Sequence, residues 1–282
     1  MSDPSATSDT APGTHRLRAT GISAGYGKNL VIDELSLAVP ASRITALVGP
    51  NACGKSTLLK AVARLLPIAS GSVLLDGADI HAMPTRRLAQ RLGILPQSPI
   101  APASITVGDL VWRGRHPHQR FGRRRTAADE TAIAEALLAT GTADLIDRPV
   151  DRLSGGQRQR VWIALALAQD TPTLLLDEPT TYLDIAHQIE VMDLLADLNR
   201  QTGKTIVLVS HDLNQAACYA STIVALRDGR IVRQGPPEDV LTEQTVADVF
   251  GMSCVVVPHP RNGAPQIFPL GRRDLNWEIG SK

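Results

Sequence analysis

Apolar residues along this chain fall into two patterns. Short continuous runs bounded by glycine, proline or polar residues occur at Ile44–Val48, Val73–Leu75, Gly93–Leu95, Thr173–Leu176 and Thr205–Val209. Such runs suit strands buried on both faces. Between them, apolar positions recur at helical spacing. Ser56–Leu66 predicts a helix ended by Pro67, and Ile185, Ile189, Met192 and Leu195 predict a second. The alternation predicts an α/β fold with a mainly parallel sheet covered on both faces. Residues 16–48 hold apolar runs broken by glycine and proline, which suit further strands, and residues 222–233 suit a hairpin around Asp228–Gly229.

The texture changes after Gln97. Residues 98–170 read as helical, with no convincing strand; Thr126 and Asp129 have capping-box spacing, and Gly141 stops that helix. This predicts a helical subdomain nested at about 98–170 inside a domain spanning 16–250. Residues 1–15, rich in Ser, Thr, Ala, Pro and Asp, read as a disordered tail. Residues 251–282 are Pro-rich and read as a peripheral extension.

Composition narrows the function classes. The 282 residues suit one large domain, and with only 3% aromatics its core must be aliphatic. The 29 basic and 28 acidic residues nearly balance, which argues against a dedicated nucleic-acid binder. The cysteines Cys53, Cys218 and Cys254 have no CxxC spacing, which argues against a disulfide framework or zinc site and suits a reducing compartment. The N-terminus lacks a signal-peptide pattern, and no apolar run approaches a membrane span, so any membrane role is expected to come through a partner.

Three motifs carry chemistry. Gly49-Pro50-Asn51-Ala52-Cys53-Gly54-Lys55-Ser56-Thr57 fits the P-loop pattern G-x-x-x-x-G-K-[ST], between a strand and a helix. Its backbone N–H groups and helix N-terminus suit the β- and γ-phosphates. Lys55 adds a positive charge, and Ser56 a hard oxygen for Mg²⁺. Cys53 reads as a small residue facing the loop, open to alkylation. Leu174-Leu175-Leu176-Asp177-Glu178 is an apolar strand ending in two acids. Asp177 suits Mg²⁺ through water, and Glu178 could orient and deprotonate an attacking water. Leu153-Ser154-Gly155-Gly156-Gln157 opens an apolar helix, with Ser154 as N-cap and two glycines baring the backbone. It is a second helix end suited to phosphate, and invites a partner chain.

LSGGQ between a P-loop and an LLLDEP strand resembles the signature of ABC-type ATPases, over about residues 17–250. The resemblance implies a P-loop NTPase (RecA-like) core with an antiparallel β part and a nested helical subdomain. It implies ATP and Mg²⁺ as cofactors. Tyr26 corresponds to the aromatic stacked on adenine, Gln97 to the Q-loop glutamine, Thr181–Asp184 to the D-loop and His211 to the switch histidine at the γ-phosphate. Glu178, His211 and Gln97 are then the implied catalytic set, and Ser56, Gln97 and Asp177 the implied metal set. Two copies would sandwich ATP between the P-loop of one and the Ser154–Gln157 segment of the other. Closure would drive permease subunits docked near Gln97 and the helical insertion, with a substrate-binding protein involved indirectly. The chain would then sit peripherally on the cytoplasmic face of the plasma membrane. The family's usual fourth P-loop residue is glycine, so Ala52 would add strain of about 1 kcal/mol if that position needs positive φ.

Arg113–His118 (RGRHPH), Leu153–Arg160, Thr181–Gln188, His211–Ala216 and Pro258–Leu270 resemble iron–siderophore importer ATPases. Haem and cobalamin importers share much of this wording. Non-transport ABC ATPases usually join two ATPase domains or carry long coiled coils, and this chain has one P-loop and no long heptad run. A small-molecule kinase is disfavoured by LSGGQ and Glu178. Arg113, Arg115, Arg120, Arg123, Arg124 and Arg125 form an acid-free run. It reads as a solvated face mixed with contact to anionic lipid headgroups, and nucleic acid is not expected.

Overall fold

The computed structural model describes residues 15–119, 126–181 and 183–271. Most of the expected tail, Arg120, Arg123, Arg124, Arg125, Tyr182 and residues 272–282 lie outside the described residues.

In chain order, β1 (His15–Tyr26), β2 (Asn29–Pro40), β3 (Ile44–Val48), α1 (Lys55–Val62), β4 (Ile68–Leu75), β5 (Ala78–Asp79), α2 (Thr85–Ala89) and β6 (Leu92–Leu95) come first. A helical stretch follows: α3 (Val107–Trp112), a 3₁₀ turn at Arg113–His118, α4 (Ala127–Ala139) and α5 (Gly155–Ala168). The chain then runs through β7 (Thr173–Leu176), α6 (Ile185–Thr202), β8 (Thr205–Val209), α7 (Leu213–Tyr219), β9 (Thr222–Arg227) and β10 (Arg230–Gly235). It ends with α8 (Pro237–Val240), α9 (Glu243–Phe250), β11 (Cys254–Pro258) and β12 (Pro265–Pro269).

The central sheet has the order β10-β9-β3-β8-β7-β6, parallel except for the β9–β10 hairpin. The continuous apolar runs explain this order. Every residue of β3, β7 and β8 is buried, because helices or a second sheet cover both faces. That second sheet, β2-β1-β4-β5, is antiparallel. Its Leu17, Ile22, Ile32 and Val73 share a core with Leu47, Leu175 and Val207 from one face of the central sheet. The other face, with Ala46, Leu174 and Leu208, packs with the helical stretch.

The structure corrects several sequence expectations. His15 is the first residue of β1 rather than the end of a tail. Helix α1 stops at Val62, well before Pro67. Arg64 takes a left-handed φ of 58°, and its guanidinium donates to the carbonyls of Ile80 and Met83, both at 2.6 Å. This long-range anchor turns the chain before the proline can. In α6, Met192 and Leu195 are buried, but Ile185 and Ile189 are exposed, at 74% and 44%. Polar contacts of its first turn, described below, take the place of apolar packing there. The extension after Gly251 is not peripheral through Pro269. It forms the β11–β12 hairpin, and Cys254 and Ile267 join the core. The Asn214 side chain secures it, accepting from Ile267 N–H at 2.7 Å and donating to Ile267 O at 3.2 Å.

Arg115 departs most from its reading as a solvated or lipid-facing residue. It is 6% exposed. Its Nε donates to Asp129 Oδ1 at 3.0 Å and its Nη1 to Ala168 O at 2.8 Å. One side chain thus ties the 3₁₀ turn to the start of α4 and the end of α5. Arg113 is exposed. Asp129 also closes the capping box with Thr126. Burial opposes ionisation of this carboxyl, but hydrogen bonds from Thr126 and Arg115 outweigh it and hold its pKa below the usual carboxylate value. The sign follows: the pair's contribution is complete above the unfolded-state pKa and is lost as pH falls through the lower folded-state value. We predict that Asp129→Ala, which leaves Arg115 buried and unpaired, destabilises the fold by roughly 3–5 kcal/mol at neutral pH. Chemical denaturation at neutral and strongly acidic pH checks this; the gap between variant and parent should shrink in acid.

Candidate nucleotide site

β3 delivers the chain into the loop at residues 49–54. Gly49 has φ 154°, and a Cβ there would stand 2.3 Å from the Leu226 carbonyl oxygen on β9, so only glycine fits. The loop folds over Lys55, the first residue of α1, which is 5% exposed. Its Nζ donates to Gly49 O and Pro50 O, both at 2.8 Å. A desolvated cation is therefore seated inside the loop, and anionic oxygens meet it at low cost in a weakly screened setting. Cys53 is buried, and burial pushes its thiol pKa up despite the nearby Lys55 ammonium. Burial and the raised pKa both disfavour the thiolate, the reactive form, and so work against the alkylation expected from sequence.

β7 delivers the chain to Asp177, which is 3% exposed. Burial raises its pKa, Ser56 opposes the shift through a hydrogen bond from Oγ to Oδ1 at 2.9 Å, and the Glu178 charge adds to it. A buried carboxylate beside a hydroxyl oxygen is a donor pair of the hard-oxygen type that Mg²⁺ takes, and a cation there would relieve the desolvation cost. Ser56 and Asp177 therefore fit the metal, and Mg²⁺ bound there would neutralise phosphate charge. Gln97, the third expected metal residue, instead donates from Nε2 to Glu178 Oε2 at 2.5 Å.

Glu178 is the most constrained residue of the site. Its φ of 53° lies in the left-handed region, which costs a non-glycine residue roughly 1–2 kcal/mol. Thr181 Oγ1 donates to Oε2 at 3.0 Å, and His211 Nε2 pairs with Oε1. The Glu178 side chain is only 9% exposed. Gln97, Thr181 and His211, from three separate segments, thus hold one carboxylate at the rim of the loop. The Thr181 contact had no sequence signal of its own beyond its place in the Thr181–Asp184 segment.

Lys55, Ser56, Gln97, Glu178 and His211 share a cleft of about 830 Å³, which Asn51, Ala52, Gly54 and Thr57 also line. Val31 of β2 lines it too, a residue that carries no motif signal. Tyr26 does not line the cleft; it stands 51% exposed at the end of β1. The segment Ser154–Gln157 is also absent from the cleft lining. There, Ser154 caps α5 by accepting from Gln157 N–H at 3.3 Å, and Gln157 Oε1 accepts from Ser154 N–H at 3.2 Å. Ser154 and Gly155 face solvent. The chain therefore carries two helix N-termini suited to phosphate, and they do not share its own cleft.

Ala52 has φ 62°, so the strain foreseen from sequence is present. We predict that Ala52→Gly removes a left-handed alanine at a net gain of no more than about 1 kcal/mol, since glycine also loosens the unfolded chain. A thermal melt of the two proteins checks this; a loss of stability would contradict the strain assignment.

Residues 32–181 match the family model described as ABC transporter. The chain is 48% identical over 257 residues to the ferric enterobactin transport ATP-binding protein FepC of Escherichia coli, covering 91% of this chain and 95% of that protein. It is 51% identical over 251 residues to the probable siderophore transport system ATP-binding protein YusV of Bacillus subtilis, covering 89% and 91%. Among solved structures it is similar to a dimeric bacterial ABC transporter cassette, with a TM-score of 0.69 and 27% identity, covering 78% of this chain and 98% of that one. Two helix ends addressed to phosphate, a P-loop lysine and a strand-end carboxylate pair belong with these likenesses: the chain is a member of the ABC transporter ATPase family.

Proposed function

We propose that this chain is the ATP-hydrolysing subunit of a ferric-siderophore importer, working as a pair of copies on the cytoplasmic face of the plasma membrane. The observation that carries the paired arrangement is the absence of Ser154–Gln157 from the cleft that holds Lys55 and Glu178. A second copy, turned head to tail, brings its α5 N-terminus to the open side of that cleft and adds backbone N–H donors to the γ-phosphate. The adenine then lies toward the exposed Tyr26 ring.

In this reading the loop and Lys55 bind the β- and γ-phosphates, and Ser56 and Asp177 hold Mg²⁺. Glu178 accepts a proton from the attacking water as the water oxygen bonds to the γ-phosphorus and the bond to the ADP oxygen breaks. Gln97 and Thr181 orient the carboxylate, and His211 stands beside it, where it can meet the γ-phosphate. No helix among the described residues is long and apolar enough to cross a membrane, so transport requires permease subunits. The ferric-siderophore cargo rests on the named relatives and on the RGRHPH segment. A substrate-binding protein would deliver it on the far side.

Two outcomes test the proposal. Glu178→Gln should lower ATP turnover by about 10²–10⁴-fold while leaving ATP affinity intact; wild-type turnover would exclude Glu178 as the base. Deletion of the gene should abolish growth under iron limitation on at least one ferric siderophore, without affecting growth on haem or a cobalamin requirement. Normal growth on every ferric siderophore would overturn the cargo, and a defect confined to haem or cobalamin would reassign it.

A further inference from the structure

The first turn of α6 is held in an unusual way. Its apolar residues Ile185 and Ile189 face solvent, so hydrophobic burial does not fix this end of the helix. Polar contacts do. Asp184 caps the helix by accepting from His187 N–H at 2.9 Å, and the same carboxylate oxygen lies 2.7 Å from His187 Nδ1. One carboxylate oxygen thereby holds both the backbone N–H and the ring of His187. Its ring lies against Gly156, where a Cβ would come within 3.1 Å of Cδ2 and 3.3 Å of Cγ. The next residue, Gln188, donates to Leu183 O at 3.0 Å and accepts from Gln215 on α7 at 2.8 Å. Asp212, directly after His211, is the N-cap of helix α7.

One helical turn therefore touches three segments: the start of α5, the Thr181–Asp184 segment and the chain behind His211. Two further links, Arg160 to Glu190 at 2.7 Å and Gln159 to Pro179 O at 2.7 Å, join α5 to the same region. These lie farther along α5. The His187 ring is the contact at the helix end itself.

We infer that His187 is a positioning residue: pinned by Asp184, its ring is the floor on which Gly156 rests, and it sets the direction in which the α5 N-terminus faces the nucleotide of the other copy. This rests on the paired reading above. His187 is not a lining residue of the chain's own cleft, so its removal should leave ATP binding by a single copy untouched and weaken only the ATP-dependent pairing. Asparagine places an amide donor near the position of Nδ1 and can keep the bond to Asp184.

The test uses the full chain carrying Glu178→Gln, with pairing followed by light scattering as ATP is titrated. ATP affinity is measured separately at protein concentrations too low for pairing. Adding His187→Ala should raise the ATP concentration for half-pairing by about tenfold, within the usual range of coupling between sites, with ATP affinity unchanged. His187→Asn should recover most of that loss. In the chain without Glu178→Gln, His187→Ala should lower kcat at saturating ATP in the same order as these pairing defects. Pairing by His187→Ala at the parent's ATP concentration would overturn the inference. So would a proportional loss of ATP affinity, or no rescue by asparagine, since either marks a merely structural role. Failure of the Glu178→Gln parent itself to pair with ATP would overturn the sandwich reading and this inference with it, and that result differs from a parent that pairs with an indifferent variant.

Discussion

The parallel hydrogen-bond ladder joining β9, β3, β8, β7 and β6 decides where this protein can do chemistry. Parallel strands all leave the sheet at the same edge, so Val48, Leu95, Leu176 and Val209 deliver the chain to one side. The phosphate loop, Gln97, the Asp177–Glu178 pair and His211 follow those exits by one or two residues. The close approach of Gly49 to Leu226 shows how tightly the loop is set on the ladder beneath it.

Charge is then arranged by burial. Lys55 and Asp177 are both nearly inaccessible, and each is satisfied by oxygen or hydroxyl partners rather than by the other. Ser56 follows Lys55 directly in sequence, and its hydroxyl donates to Asp177, so the loop lysine and the strand-end carboxylate are linked through one residue. Glu178, one residue beyond the ladder, is held by three groups and bent into a left-handed conformation. Strain of that kind persists where surrounding structure over-determines it, and at functional sites it often serves the mechanism.

The helical stretch is organised differently. It has no ladder among its described residues beyond one bridge between Thr106 and Pro149, and depends on apolar contacts of α3, α4 and α5 with one face of the sheet. The buried Arg115 ties its 3₁₀ turn to Asp129 on α4 and to the end of α5. The signature end of α5 projects from this stretch, and the first turn of α6 lies under it. The exposed N-terminus of α5 is thus held by polar contacts, while the phosphate loop is held by the sheet.

The sequence alone determined the features whose physics is local. The phosphate loop, the strand-end acids, the Thr126–Asp129 capping box, the Ser154 N-cap and the turn at Asp228–Gly229 each depend on residues a few positions apart, so their spacing is their signal. The short apolar strands were legible for the same reason, since continuous burial leaves no alternation. Tertiary structure decided what depends on partners far along the chain. It buried Arg115 out of an arginine run, stopped α1 through Arg64, left Ile185 and Ile189 in solvent and drew a proline-rich segment into the core as a hairpin. It brought Val31 into the site and left Tyr26 and Ser154–Gln157 out of the cleft lining. None of these contacts leaves a local trace, because a side chain's burial and its distant partners are properties of the packed fold and not of its neighbours in sequence.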